Sequence, residues 1–114
     1  KRIVAVFQPH RYTRTRDLFD DFGNVLSEAD CVVLTDVYSA GEAAIDGIDS
    51  RAMCHSIRAR GKVDPLLIPD VADIAAELPS MLRPGDLVLL LGAGNIGHVA
   101  EQIREGGFPR KEAA

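Results

Sequence analysis

The chain has 114 residues, 46% hydrophobic and 26% charged, with a net charge of −4. That length suits one small domain with its own core, and the acidic balance argues against a general nucleic-acid binder. No apolar run approaches the ~20 residues a bilayer span needs, and nothing reads as a secretory leader.

In chain order, residues 3–7 (Ile-Val-Ala-Val-Phe) form a continuous apolar run, the mark of a buried strand. Leu18, Phe19, Phe22, Val25 and Leu26 then recur at helical spacing along one face. Thr15 is the expected N-cap, Asp17 suits the first turn, and Arg16 pairs with Asp20 one turn on. Residues 31–35 are a second apolar run, buried on both faces as a parallel strand would be. Residues 36–49 make a connection far longer than the usual ~4–6 residues, which marks a loop kept for function or a disordered one. Ser50 is expected to cap a helix over 50–60, with Met53, Cys54 and Ile57 on one stripe and Gly61 as its stop.

A short strand at 66–68 follows, flanked by Pro65 and Pro69. Asp70 caps a predicted helix over 71–82, which Pro79 must kink or restart because it lacks an N–H. Residues 84–86 turn the chain into a fourth strand, 87–91. Gly92, Gly94 and Gly97 then lead into a last helix carrying Ile96, Val99, Ala100 and Ile103, and the tail from 106 to 114 is expected to fray. Four alternations of strand and helix predict an α/β fold: a Rossmann-like three-layer sandwich with a mostly parallel sheet, helices on both faces and strand order 3-2-1-4. The chain opens on Lys1-Arg2 without an initiator Met, and a single domain of a longer protein is expected. Cys31 and Cys54 lack metal-ligand spacing and read as reduced, buried thiols.

Charge is unevenly spread. Five of the 13 Lys/Arg and none of the 17 Asp/Glu lie in the first 16 residues. Arg11, Arg14 and Arg16 gather where the first strand gives way to a helix, the edge at which open α/β sheets bind ligands. Arg11 and Arg14 are three apart and can point the same way to clamp a carboxylate, or else they form a solvated face. His10 either donates to an anion or sits in the turn. Gly92-x-Gly94-x-x-Gly97 matches a dinucleotide fingerprint, but no strand follows to supply the ribose-binding acid, so packing or a substrate-facing backbone are the competing readings. There is no Walker A loop, no nucleophile elbow and no metal motif.

Three stretches share a further property. Residues 7–17 (Phe-Gln-Pro-His-Arg-Tyr-Thr-Arg-Thr-Arg-Asp), 36–42 (Asp-Val-Tyr-Ser-Ala-Gly-Glu) and 92–97 (Gly-Ala-Gly-Asn-Ile-Gly) resemble, in order and spacing, the C-terminal domain of the Mur ligase family. The likeness is to the branch that joins L-alanine to UDP-N-acetylmuramate in bacterial peptidoglycan synthesis. It implies a cytoplasmic, three-domain enzyme in which ATP, with Mg²⁺, phosphorylates the muramoyl carboxylate and the amine of L-alanine displaces phosphate. This third domain would close over the active site against the central ATPase domain, bind no cofactor by itself and be inactive alone, with UDP-N-acetylmuramate and ATP held by the other two. The resemblance puts His10, Arg11 and Arg14 at the L-alanine carboxylate and nascent product. It makes Tyr38, Ser39, Ala40, Gly41 and Glu42 the amino-acid specificity loop; Ser39 stands where the family often has proline. Gly92, Gly94 and Asn95 would be backbone near substrate or an interdomain contact. Outside that resemblance, a free-standing nucleotide-binding module or a protein-interaction domain are the other readings.

Overall fold

A computed structural model describes residues 2–92. Four strands, β1 (Ile3–Phe7), β2 (Cys31–Leu34), β3 (Leu66–Leu67) and β4 (Leu87–Leu91), form one sheet in the order β3-β2-β1-β4, every pair parallel. The strand order read from the sequence holds. β1 is central because its residues are apolar on both faces, which only a strand covered on both sides tolerates.

Alternation along the strands feeds two cores. Val4, Val6 and Val33 point to one face and pack with Ile68, Val71, Ile74 and Leu78. Ala5, Phe7, Val32 and Leu34 point to the other and pack with Leu26, Met53, Cys54 and Ile57. The second face is roofed by two helices, α2 (Phe19–Leu26) and α3 (Ser50–Ala59). The first is covered by the segment after β3, so the domain is the expected α/β sandwich of three layers.

Local departures from the sequence reading each have a cause. The helix after β1 begins before Thr15 and is split: α1 runs Tyr12–Asp17, and Leu18, at φ −111°, separates it from α2. Thr15 is no cap. It is fully buried inside α1, and its hydroxyl donates back to the Arg11 carbonyl at 2.7 Å, a bond that bends helices. Arg16 pairs with its neighbour Asp17 at 3.0 Å instead of Asp20, a short exposed contact worth little. Asp49, not Ser50, caps α3 by accepting the Ala52 N–H at 2.7 Å. The buried Ser50 hydroxyl instead donates to the Thr35 carbonyl, tying the two ends of the 36–49 loop together. The predicted helix over 71–82 breaks into a 3₁₀ turn (Val71–Asp73), one α turn that we label α4 (Ile74–Glu77) and a second 3₁₀ turn (Leu78–Met81) around Pro79, as a missing N–H dictates. Asp70 caps this segment through the Ala72 N–H, as expected.

The starts of the neighbouring strands β1 and β4, 84 positions apart in the chain, are joined at the base of the sheet. The Arg2 guanidinium grips Asp86 through two bonds, of 3.1 and 2.8 Å, and donates to the Met81 carbonyl. That guanidinium, with the Arg83 backbone N–H, holds the Asp86 carboxyl down at about 2. A carboxyl depressed in the folded state stabilises above its ordinary range and ceases to do so as pH falls through its folded value. In acid titrations followed by circular dichroism, the stability gap between wild type and Asp86→Asn should therefore close between pH 3.8 and about 2. An unchanged gap across that window would sink this linkage.

Among the described residues, no helix is long and apolar enough to cross a membrane. The helix expected around Ile96, Val99, Ala100 and Ile103, and the tail from 106, lie outside the described residues.

Candidate functional site

The basic turn stands at the carboxyl end of β1, beside β2 on one side and β4 on the other. Phe7 closes the strand, and the chain reverses at Arg11, whose backbone sits at φ 69°, ψ 141°. A side chain at positive φ costs of order 1–3 kcal/mol and persists only where the surroundings enforce it. Here they do. The Arg11 N–H donates to the Tyr38 carbonyl at 2.7 Å, and the Tyr38 N–H donates to the Pro9 carbonyl at 2.8 Å. The His10 and Tyr38 rings stack over this bridge, centroids 5.5 Å apart and planes 9° from parallel.

Arg11 and Arg14 line one open depression of about 580 Å³ together with Thr13, Asp17 and Leu18. Arg14 forms no ion pair or hydrogen bond through its side chain with any described residue, and half of the Arg11 side chain is exposed. Two arginines and the acidic Asp17 thus line one open depression. His10 does not line it. Its ring is half-buried against Tyr38, and its Nδ1 is buried without a partner.

The 36–49 loop is an ordered structure pinned to the turn. Ala40 and Gly41 are both left-handed, at φ 51° and 87°, and the Glu42 N–H donates to the Ser39 carbonyl at 3.0 Å. Two consecutive residues at positive φ make this a type I′ reversal, which Gly41 accepts freely and Ala40 does not. The reversal turns Glu42 back onto α1. Its carboxylate accepts the Thr13 N–H at 3.0 Å and the Thr13 hydroxyl at 2.7 Å, with the Arg11 guanidinium 3.8 Å away. The Thr13 N–H, then its hydroxyl, hold the Glu42 carboxyl below the usual carboxylate range. Tyr38 and Ser39 face a separate depression of about 420 Å³ on the β2–β3 side, with Gln8, Asp36 and Asp70 in its wall.

The structure therefore sorts the five loop residues. Tyr38 and Ser39 stand at a cavity, Ala40 and Gly41 make the reversal, and Glu42 is spent on Thr13. Gly92, at φ 148°, leaves β4 next to β1, and the Gln8 N–H donates to the Leu91 carbonyl at 2.9 Å, so the basic turn and the glycine turn start from adjacent strands. Gly94 and Asn95 lie outside the described residues. The Thr13–Glu42 clip went unread in the sequence, because no spacing rule links positions 29 apart; only Thr and Glu as capping-type residues hinted at it.

A model of the Mur ligase family, described as its glutamate ligase domain, matches residues 1–94. The chain belongs to the Mur ligase family. The match fixes family and domain and does not single out L-alanine, and the parallel sheet with helices on both faces is the fold of such a domain. Mur ligases build amide bonds in peptidoglycan synthesis, and a full enzyme binds its substrates and ATP with further domains. No group of three or more His, Cys, Asp or Glu among the described residues could hold a metal ion, and the sequence has no phosphate loop.

Proposed function

We propose that this domain supplies the amino-acid site of the ligase that joins L-alanine to UDP-N-acetylmuramate. The observation that carries this reading is the shared crevice of Arg11 and Arg14 at the end of β1. A zwitterionic amino acid has one strongly acidic handle, its carboxylate, and two forked guanidinium groups hold it by charge-assisted bonds. Gripping the carboxylate leaves the amine pointing outward, free to attack an acyl phosphate delivered from another domain. The C–N bond forms as phosphate leaves, and the amine sheds a proton. Position is the contribution of this domain; phosphoryl transfer belongs to the domains that hold ATP, Mg²⁺ and UDP-N-acetylmuramate. The cytoplasm, where those substrates are made, is the compartment this reading requires.

L-alanine offers only a methyl beyond its carboxylate and amine, so selectivity here works by excluding bulk. Each added methylene is worth only ~1–3 kcal/mol in such discrimination.

The chain by itself is expected to fold and to release no ADP from ATP, with or without L-alanine and UDP-N-acetylmuramate. A coupled ADP assay tests this, and turnover by the 114-residue chain would overturn the division of labour. Joined to its partner domains, the same chain should restore alanine-dependent ADP release.

A further inference from the structure

Glu42 sits on the loop expected to read the amino acid, yet its carboxylate points away from the Tyr38–Ser39 cavity and into the backbone of α1. Three observations converge on it. It takes both donors of Thr13 and lies 3.8 Å from the Arg11 guanidinium. The non-glycine residues at positive φ among those described, Arg11 and Ala40, flank the clip on either side. Arg14, one turn along, lines the crevice and has no ion pair with a described residue. Strain at such positions persists only where the surroundings hold it, and the clip stands beside the Arg11–Tyr38 bond in doing so.

We propose that Glu42 is a positioning residue: by gripping Thr13 it fastens the loop to α1 and fixes the direction in which Arg11 and Arg14 meet the substrate carboxylate. This rests on the carboxylate-clamp reading above. Glu42 is not itself a substrate contact. Its grip on Thr13 satisfies the first turn of α1, while the 3.8 Å separation from Arg11 is long enough to orient that guanidinium without consuming it. The opposite arrangement, a carboxylate sitting in the substrate's place and competing with it, would pair Glu42 with Arg14 as well, and among the described residues Glu42 meets only Thr13 and Arg11.

The test uses the complete ligase carrying this domain, with Glu42→Ala and Thr13→Val compared with Arg14→Ala. Glu42→Ala should raise the KM for the amino acid roughly tenfold, with kcat and the KM for ATP changed by less than about threefold. Thr13→Val, which keeps the N–H donor but not the hydroxyl, should give a smaller rise in the same parameter. Thr13→Ser, which keeps both donors, should leave it unchanged. The double variant Glu42→Ala/Thr13→Val should be no worse than Glu42→Ala alone, since both remove one contact. A fall in amino-acid KM on Glu42→Ala would show competition for the seat and overturn the proposal; an unchanged KM would overturn it too. Arg14→Ala separates the two levels. If it raises the KM and Glu42→Ala does not, the positioning role fails and the clamp stands; if neither moves it, the clamp fails. Should Glu42→Ala lower the yield of folded enzyme, Glu42→Gln, which keeps the shape and loses the charge, carries the same comparison.

Discussion

Replacing Arg14 by alanine in the complete ligase should raise the KM for the amino acid about 10- to 100-fold and leave the KM for ATP within about twofold. The size follows from what is removed: hydrogen bonds from a charged group are worth roughly 1.5–3 kcal/mol each when their partner is left unpaired. Arg14 is the cleaner half of the pair because it makes no ion pair with a described residue, whereas Arg11 lies near Glu42 and carries backbone strain. Substitution at Arg11 therefore mixes a lost contact with a relaxed turn. Arg14→Lys keeps the charge but not the fork and should fall between wild type and alanine. Steady-state kinetics with each substrate varied in turn measure the split. An amino-acid KM unmoved by Arg14→Ala would remove the clamp.

The largest effect on stability is expected at Leu34→Ala. Leu34 is fully buried on β2, in the core that also holds Phe7, Met53 and Ile57. Truncating such a residue costs about 2–5 kcal/mol, from lost transfer energy plus the cavity left behind. A domain of this size is stable by only ~5–15 kcal/mol, so the variant would sit close to unfolding. Its melting temperature should drop by about 8–40 °C, at the ~4–8 °C per kcal/mol of a small domain. Leu34→Met conserves volume and should cost less than about 1.5 kcal/mol. Thermal or urea unfolding followed by circular dichroism checks both, and equal losses for the two variants would mean that volume is not what matters there.

The strands were legible because continuous apolar runs have one stable home, between two covered faces. The runs at 3–7 and 31–35 led directly to the central strands, and the alternation of strand and helix led to a parallel sheet, though it does not by itself fix the order β3-β2-β1-β4. Helix starts were less legible, since capping chemistry is shared among Ser, Thr and Asp. Asp49 and Ser50 are adjacent, and only tertiary packing decides that Ser50 turns inward to Thr35 while Asp49 caps. Thr15 was misplaced for the same reason: the helix is started by the forced turn at Arg11, a conformation that nothing in the residue's own propensity announces. At the site, the clustering of Arg11 and Arg14 could be read from their spacing. The work done by Glu42 could not, because it depends on a left-handed reversal at Ala40 and on a contact across 29 positions.

The central position of β1 has a consequence for how the chain reaches this state. Its partner β4 arrives last, with Arg2 and Asp86 closing the sheet from 84 positions apart. The topology is thus of high contact order, and loop-closure entropy must be overcome before the middle of the sheet is rewarded. During synthesis the first strand waits, one edge bare, until nearly the whole described length has emerged from the ribosome. Deleting β4 would leave that apolar edge open to other chains, and aggregation is the fate such a truncation invites.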